Sequence, residues 1–447
     1  MVSRGAALFM EMGTGKTKAM IDVTGVLHAN GIISRALVVA PLPIVDAWGN
    51  EEFGELTKHA GNDRNIWFPI LGKSKKQRED ALKAMLQYKG PKMVWGLINI
   101  EGLVVVKDAL KSLKPDLMLL DESTIIKNRT AQRTKLAIEL FEATPFKVIS
   151  SGNPIPKSPD EIFAQYKLIE PGAYGSSFMS FREKFFEVDY FNKIKGFKPG
   201  MEAAYNKVFH DFAFVKRKQD CLSLPPKVYL THAVDMTPEQ AKLYGDMEKD
   251  ALAFYKDKAC AAPVVITKFL RLSQIAGGTF PTETGPVIDL TPNPKIEAVV
   301  EILEGLPKDE QVVIWARFQR EIELIAARLE KEGIKAVTFY GKTSSEDRIE
   351  ARRMMLRNEA RVFVGNPATG GKGLNELIGA TTVIYYSNDY SAENRQQSED
   401  RNHRNGTVKV TYIDILANGT IDREVLGVLR NNKNFSDAIL ERKINGL

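Results

Sequence analysis

Cysteine is nearly absent: 447 residues contain two, Cys221 and Cys260, which allows at most one bridge and excludes a disulfide framework. Neither stands with histidines at ligand spacing, so a cysteine-built metal centre is excluded as well. Long apolar runs are missing too. Stretches such as Leu117–Leu120 fall far short of a bilayer span, and the first residues lack the charged, apolar, small order of a signal peptide. The expectation is a reduced protein of the cytoplasm with no membrane partner. There is no low-complexity tail and no short-period repeat. An excess of one charge sign is also lacking: 62 Lys and Arg against 56 Asp and Glu give +6, which tolerates a polyanion without identifying one.

What is present is ordinary globular composition, 44% hydrophobic and 26% charged, on a chain long enough for two or three cores. Short apolar runs at 6–10, 36–40, 93–98, 117–120 and 147–150 alternate with helical-period segments. Such runs, bounded by Gly, Pro or polar residues, predict a mostly parallel sheet covered by helices. Residues 172–215 are rich in aromatics and lysines without strand-like alternation and are expected to be a helical insertion; 238–275 is again helical in pattern, and 277–294 reads as a linker. A second alternation supplies strand candidates at 312–316, 336–339, 361–364, 383–386 and 408–415. The expected architecture is α/β: a first lobe over 1–170, a helical insertion and linking segment over 171–290, and a second lobe over 291–447.

The chemistry concentrates in three places. Met10-Glu11-Met12-Gly13-Thr14-Gly15-Lys16-Thr17 follows an apolar strand and opens a helix, the context of a phosphate-binding loop. Gly13, Thr14 and Gly15 would bring backbone N–H groups to phosphate, with Lys16 on the β/γ oxygens, Lys18 beside it and the Thr17 hydroxyl on magnesium. Met10 stands where the strict pattern has glycine. Leu117-Met118-Leu119-Leu120-Asp121-Glu122 is a buried-strand pattern ending in two carboxylates: Asp121 would hold Mg2+ and Glu122 would orient and deprotonate water. Taken alone, such a pair is more often a solvated loop. The third place is Gln397 to Gly406, where Arg401 and Arg404, three apart on an expected helix, could reach a γ-phosphate as arginine fingers do.

In this order the three elements resemble the Swi/Snf-type DNA translocases of helicase superfamily two. Further runs carry the resemblance: Leu37 to Leu42 with Trp48, Asp121 to Thr124 followed by Ile126-Lys127-Asn128, Ser151 to Pro154, Phe214 to Lys218, and Leu224 to Lys227 up to Thr237-Pro238-Glu239-Gln240. Ile314 to Phe318, Tyr340 to Thr343, Thr369 to Asn375 and Gln397 to Gly406 continue it, so essentially the whole chain is covered.

The resemblance implies two RecA-like lobes that close on ATP and Mg2+, bringing phosphate loop and arginines together, with Gln397 and Gly373 added to the nucleotide set. It also implies DNA contacts at Pro41, Asn99, Gly341, Thr343, Arg348, Thr369, Gly370 and Asn375, of the backbone-tracking kind. The implied activity is ATP-driven movement on duplex, forked or branched DNA, by a monomer of compact bacterial or viral type. A strand-separating RNA or DNA helicase and a nucleotide-switched DNA-binding scaffold are the alternatives.

The sequence departs from the family pattern in three ways. Only fifteen residues precede Lys16, where the family pattern has a glutamine motif for adenine well upstream, so that either the chain begins late or adenine is held another way; Thr124 takes the place of the usual histidine; and Asn153 replaces a threonine.

Overall fold

The computed structural model describes residues 5–256, 262–282, 286–370, 374, 376–404, 407 and 409–431. The chain forms two units that divide between Leu222 and Ser223.

The first unit is built on a seven-stranded parallel sheet. Its strands are β1 (Gly5–Met10), β2 (Arg35–Ala40), β3 (Asn65–Pro69), β4 (Met93–Asn99), β5 (Leu117–Asp121), β6 (Phe146–Ser151) and β9 (Ala213–Lys216), while β7 (Phe186–Val188) and β8 (Ile194–Phe197) form a separate antiparallel pair. The spatial order is β3-β4-β2-β5-β6-β1-β9. Central strands are apolar throughout because both faces are covered: Leu37 and Val39 of β2 join one core, and Ala36, Val38 and Ala40 join the other.

The aromatic segment beyond residue 172 extends the first of these cores. Tyr174, Phe181, Phe185, Phe186, Tyr205 and Phe209 are all buried, with Phe186 and Phe197 holding the foot of the β7–β8 pair at 5.1 Å between ring centroids. The segment is therefore not purely helical. Helices Phe178–Phe185 and Met201–Phe212 flank a hairpin whose strands, Phe186–Val188 and Ile194–Phe197, are too short for an alternation to show.

The second unit carries a six-stranded parallel sheet of β10 (Val228–Val234), β13 (Val312–Trp315), β14 (Ala336–Phe339), β15 (Val362–Gly365), β16 (Thr382–Tyr385) and β17 (Thr411–Ala417), in the order β10-β17-β16-β13-β15-β14; β11 (Thr279–Pro281) and β12 (Val287–Asp289) pair antiparallel beside it. Val312 and Ile314 of β13 face one core, Val313 and Trp315 the other. Two parallel sheets flanked by helices, one in each unit, make this an α/β protein of two lobes, as the sequence predicts.

One acid lies wholly inside this second unit. Glu321 is fully buried, accepting hydrogen bonds from Ser387 Oγ and Phe318 N, and burial pushes its carboxyl up to about 7 against those bonds and the Lys295 charge. A raised folded-state value makes the acid a stabiliser below its unfolded value, and that contribution is lost as pH climbs through about 7. Glu321→Gln is expected to flatten the fall in stability between pH 5 and 8, worth on the order of 2–3 kcal/mol, as read from urea midpoints at the two pH values.

Candidate functional site

The phosphate loop follows β1 as the sequence predicts. Gly13 and Gly15 take φ of 83° and 93°, a left-handed conformation that side chains disfavour, and nothing lies within 4 Å of where a Cβ on Gly15 would stand. Helix Lys16–Ala29 starts directly after, with no side chain capping it, so its first-turn amides face the open side of the loop. Lys16 Nζ donates to the carbonyl of Met10 at 2.7 Å, curling its charge back over the loop, and Thr14 is tied to Glu11 O by its hydroxyl at 2.7 Å. Thr17 is half-buried in the first turn, while Lys18 is exposed and paired with Asp22. Glu11 anchors the other end of the unit: its N–H donates to Lys216 O at 3.0 Å, and its carboxylate accepts from Lys218 N at 2.8 Å.

Sheet register brings the acids to the loop. Asp121 pairs with Ser150, and Ser150 pairs with Leu8, so β5, β6 and β1 end side by side with β6 between acid and loop. Adjacent strands lie about 4.8 Å apart, which puts Asp121 roughly 10 Å across the sheet from β1 and leaves room for a phosphate chain. Asp121 is aimed by three donors: Trp48 Nε1 at 2.8 Å, Ser150 Oγ at 2.5 Å and the Glu122 N–H at 3.1 Å.

Glu122 sits at φ 60°, ψ 60°. Left-handed backbone at a non-glycine residue costs on the order of 1–3 kcal/mol, so its surroundings must hold it there. Thr124 Oγ1 and Ser151 Oγ both donate to its Oε1, at 2.9 and 3.2 Å. Bonds to a charged acceptor are worth about 1.5–3 kcal/mol each, enough to offset the strain. The departure at Thr124 is thus explained locally: its hydroxyl orients the acid. Asn153 Oδ1 is buried without a hydrogen-bond partner, and a Cβ on neighbouring Gly152 would come within 3.6 Å of Lys16 Nζ. An unsatisfied polar atom, a glycine cradle, a lysine and two oriented carboxylates fit a magnesium nucleotide, with Thr17 and Asp121 as the metal-side residues. Among the described residues no cluster of three or more His, Cys, Asp or Glu forms a separate metal site.

In the second unit, Gln397 and Arg401 lie on helix Ala392–Asn402. The expectation that Arg404 shares that helix is not met: the helix stops at Asn402, His403 caps it, and Arg404 follows in a turn where its Nε donates to Asp400 O at 3.0 Å. Arg401 is buried, with its Nε on Gln397 O at 3.4 Å, and Gln397 Oε1 is buried without a hydrogen-bond partner.

Beside them stands a charge network that the sequence did not reveal. Lys227 Nζ meets Glu399 at 2.7 Å and Asp400 at 3.6 Å; Arg395 bonds Glu399 at 2.8 Å and Asp414 at 2.5 Å and lies 3.4 Å over the Tyr385 ring. Burial alone would raise the Glu399 carboxyl, but Lys227 and Arg395 outweigh it and hold it down at about 2.

The residues named for DNA vary in their commitments. Pro41 heads helix Leu42–Gly49 and Gly341 is exposed. Asn99 is buried between Arg78 and Glu101, at 2.8 and 2.9 Å. Thr343 Oγ1 accepts from Tyr340 N at 3.0 Å, and Arg348 donates to Tyr340 O at 3.0 Å. Thr369 ends a short turn with Gly370, whose absent Cβ would strike the Trp315 ring at 2.9 Å. Gly370→Ala is therefore expected to destabilise the second unit by about 1–3 kcal/mol, read as a lowered melting temperature. Gly373 and Asn375 lie outside the described residues, as does Cys260, whereas Cys221 is an exposed free thiol.

The SNF2-related domain matches residues 1–275, and the helicase conserved C-terminal domain matches residues 294–406. The chain belongs to the SNF2-related family. The two matched domains together take in most of its length.

Curated relatives are more distant. The DNA repair and recombination protein RDH54 of Saccharomyces cerevisiae is 24% identical over 94% of this chain and 50% of its own length. The ISWI chromatin-remodeling complex ATPase ISW2 of the same yeast is 25% identical over 90% of this chain and 36% of its own. The chain thus spans half or less of these SNF2-related relatives. A solved Sulfolobus solfataricus SWI2/SNF2 ATPase core in complex with dsDNA is 21% identical, covering 98% of this chain and 90% of that one with a TM-score of 0.43. No helix among the described residues is long and apolar enough to cross a membrane.

Proposed function

We propose that this SNF2-related chain hydrolyses ATP to move along DNA, and that it works on forked or branched DNA. The observation that carries the reading is the row of Asp121, Ser150 and Leu8, which sets an oriented acid pair beside a glycine phosphate loop in a family matched over both halves. Lys16 and the loop amides at Gly13, Thr14 and Gly15 bind the phosphates, Thr17 and Asp121 hold the metal side, and Glu122 takes a proton from the attacking water. Magnesium, when bound, neutralises phosphate oxygens in the transition state. Arg401 and Arg404 supply positive charge to the γ-phosphate, and Gln397, with its unsatisfied buried oxygen, positions the water.

Contacts at Pro41, Asn99, Gly341, Thr343, Arg348, Thr369, Gly370 and Asn375 track the phosphate backbone without reading bases. RDH54 is named for DNA repair and recombination, which favours branched DNA as the working substrate here. The test is ATP hydrolysis without nucleic acid and with plain duplex, single-stranded, forked and four-way DNA, and with RNA. Strongest stimulation by branched DNA is expected. Hydrolysis indifferent to every DNA would sink the proposal.

A further inference from the structure

Two aromatic rings stand fully out of the first unit. Tyr190 is 97% exposed and Phe191 78%, at the turn joining β7 to β8, packed edge to face with centroids 5.5 Å apart. Their burial elsewhere would be favourable, so rings left in water at a hairpin tip mark a contact surface.

The tip is also rigidly built. Asp189 and Lys193 exchange two bonds, from Asp189 N to Lys193 O and from Lys193 N to Asp189 Oδ1, each 2.8 Å, and Asn192 closes the turn at φ 61°. Arg182 clamps that turn to the body of the unit, donating to Asn192 O at 2.7 Å and Asn192 Oδ1 at 3.1 Å while pairing with Asp160 at 3.2 Å. At the foot, Phe186 is buried against Phe197 and Tyr205.

Lys193 and Lys195 are exposed on the same hairpin, and a cavity of about 590 Å³ opens beside it, lined by Met179, Phe186, Val188, Asn192, Lys195 and Lys198. That volume falls in the range of pockets that take a small ligand. Glu183 and Glu187 also border it, offering acceptors to base amino groups.

We propose that this hairpin reads unpaired DNA: Tyr190 and Phe191 stack on bases where a duplex opens, while Lys193, Lys195 and Lys198 take the adjoining phosphates. Aromatic stacking tolerates every base because each has a π-face, and lysines beside the rings supply the charge that a phosphodiester chain needs. A protein partner fits less well. A stable protein interface buries about 800 Å² on each side, whereas these rings form a two-residue point among charges. The inference rests on the DNA-translocase reading but concerns residues outside the nucleotide site.

The experiment uses the full chain and a DNA fork with 2-aminopurine at the junction, beside a control carrying it mid-duplex. Binding is expected to change the junction fluorescence only. Tyr190→Ala with Phe191→Ala should abolish that change and weaken fork binding about tenfold, with melting temperature and duplex-stimulated hydrolysis unaltered. Tyr190→Trp with Phe191→Trp should restore both signals. An alanine variant that keeps fork affinity and junction fluorescence overturns the hairpin's role. Failure of DNA to stimulate the wild-type enzyme overturns the translocase reading instead, and the fluorescence still reports on the hairpin.

Discussion

Glu122→Gln should reduce ATP turnover by about a hundred- to ten-thousand-fold while nucleotide and DNA binding persist. The substitution keeps an Oε1 able to accept from Thr124 Oγ1 and Ser151 Oγ, now at 2.9 and 3.2 Å, so the left-handed turn at φ 60° keeps its supports. What disappears is the carboxylate proposed to accept water's proton. Lys16→Ala differs because the proposed role of its ammonium, held 2.7 Å from the Met10 carbonyl, is to bind phosphate: nucleotide affinity should fall together with turnover. Steady-state hydrolysis beside a fluorescent-nucleotide titration separates the two variants. If Glu122→Gln turned over at wild-type speed, the assignment of the base would be wrong.

Lys227→Met should cost the second unit about 3–5 kcal/mol, because it strips the cation from a buried carboxylate pair and leaves Glu399 and Asp400 undercompensated. Adding Glu399→Gln to that background should recover much of the loss, a coupling that urea unfolding of the single and double variants would measure. The acid limb gives an independent reading. A carboxyl held down at about 2 contributes stability above its unfolded value and loses it as pH falls from about 5 toward 2. The shift corresponds to about 3 kcal/mol, so Glu399→Gln should flatten that limb by this amount. Hydrolysis should also slow in Lys227→Met, since the carboxylates it neutralises immediately precede Arg401 on the same helix.

Legibility in the sequence followed burial. Strands β2 and β5 were readable because both faces are covered and their residues are apolar without interruption. Strands β3 and β10 were missed: they are edge strands with half-exposed patterns that show no clean two-residue alternation. The phosphate loop was legible because its geometry is local, the five residues 11–15 between a strand and a helix. The Lys227–Glu399 pair was not, since 172 residues separate its members and the segment from Gln397 to Gly406 looks, in isolation, like a solvated basic helix end. Its burial comes from β10 running beside β17, a long-range pairing that no local spacing encodes. Arg404 fell outside the expected helix for a related reason: three-residue spacing says nothing about where a helix stops, and here the chain turns at His403. Ser150 entered only as the end of a strand run and Ser151 only through the resemblance of 151–154, yet their position on β6 makes them the shared wall between acid and loop.

Glu11 ties the phosphate loop to the residues through which the chain leaves the first unit, by its N–H to Lys216 and its carboxylate to Lys218 N. Loop and outgoing strand therefore share one footing. One residue is thereby the knot that both segments share.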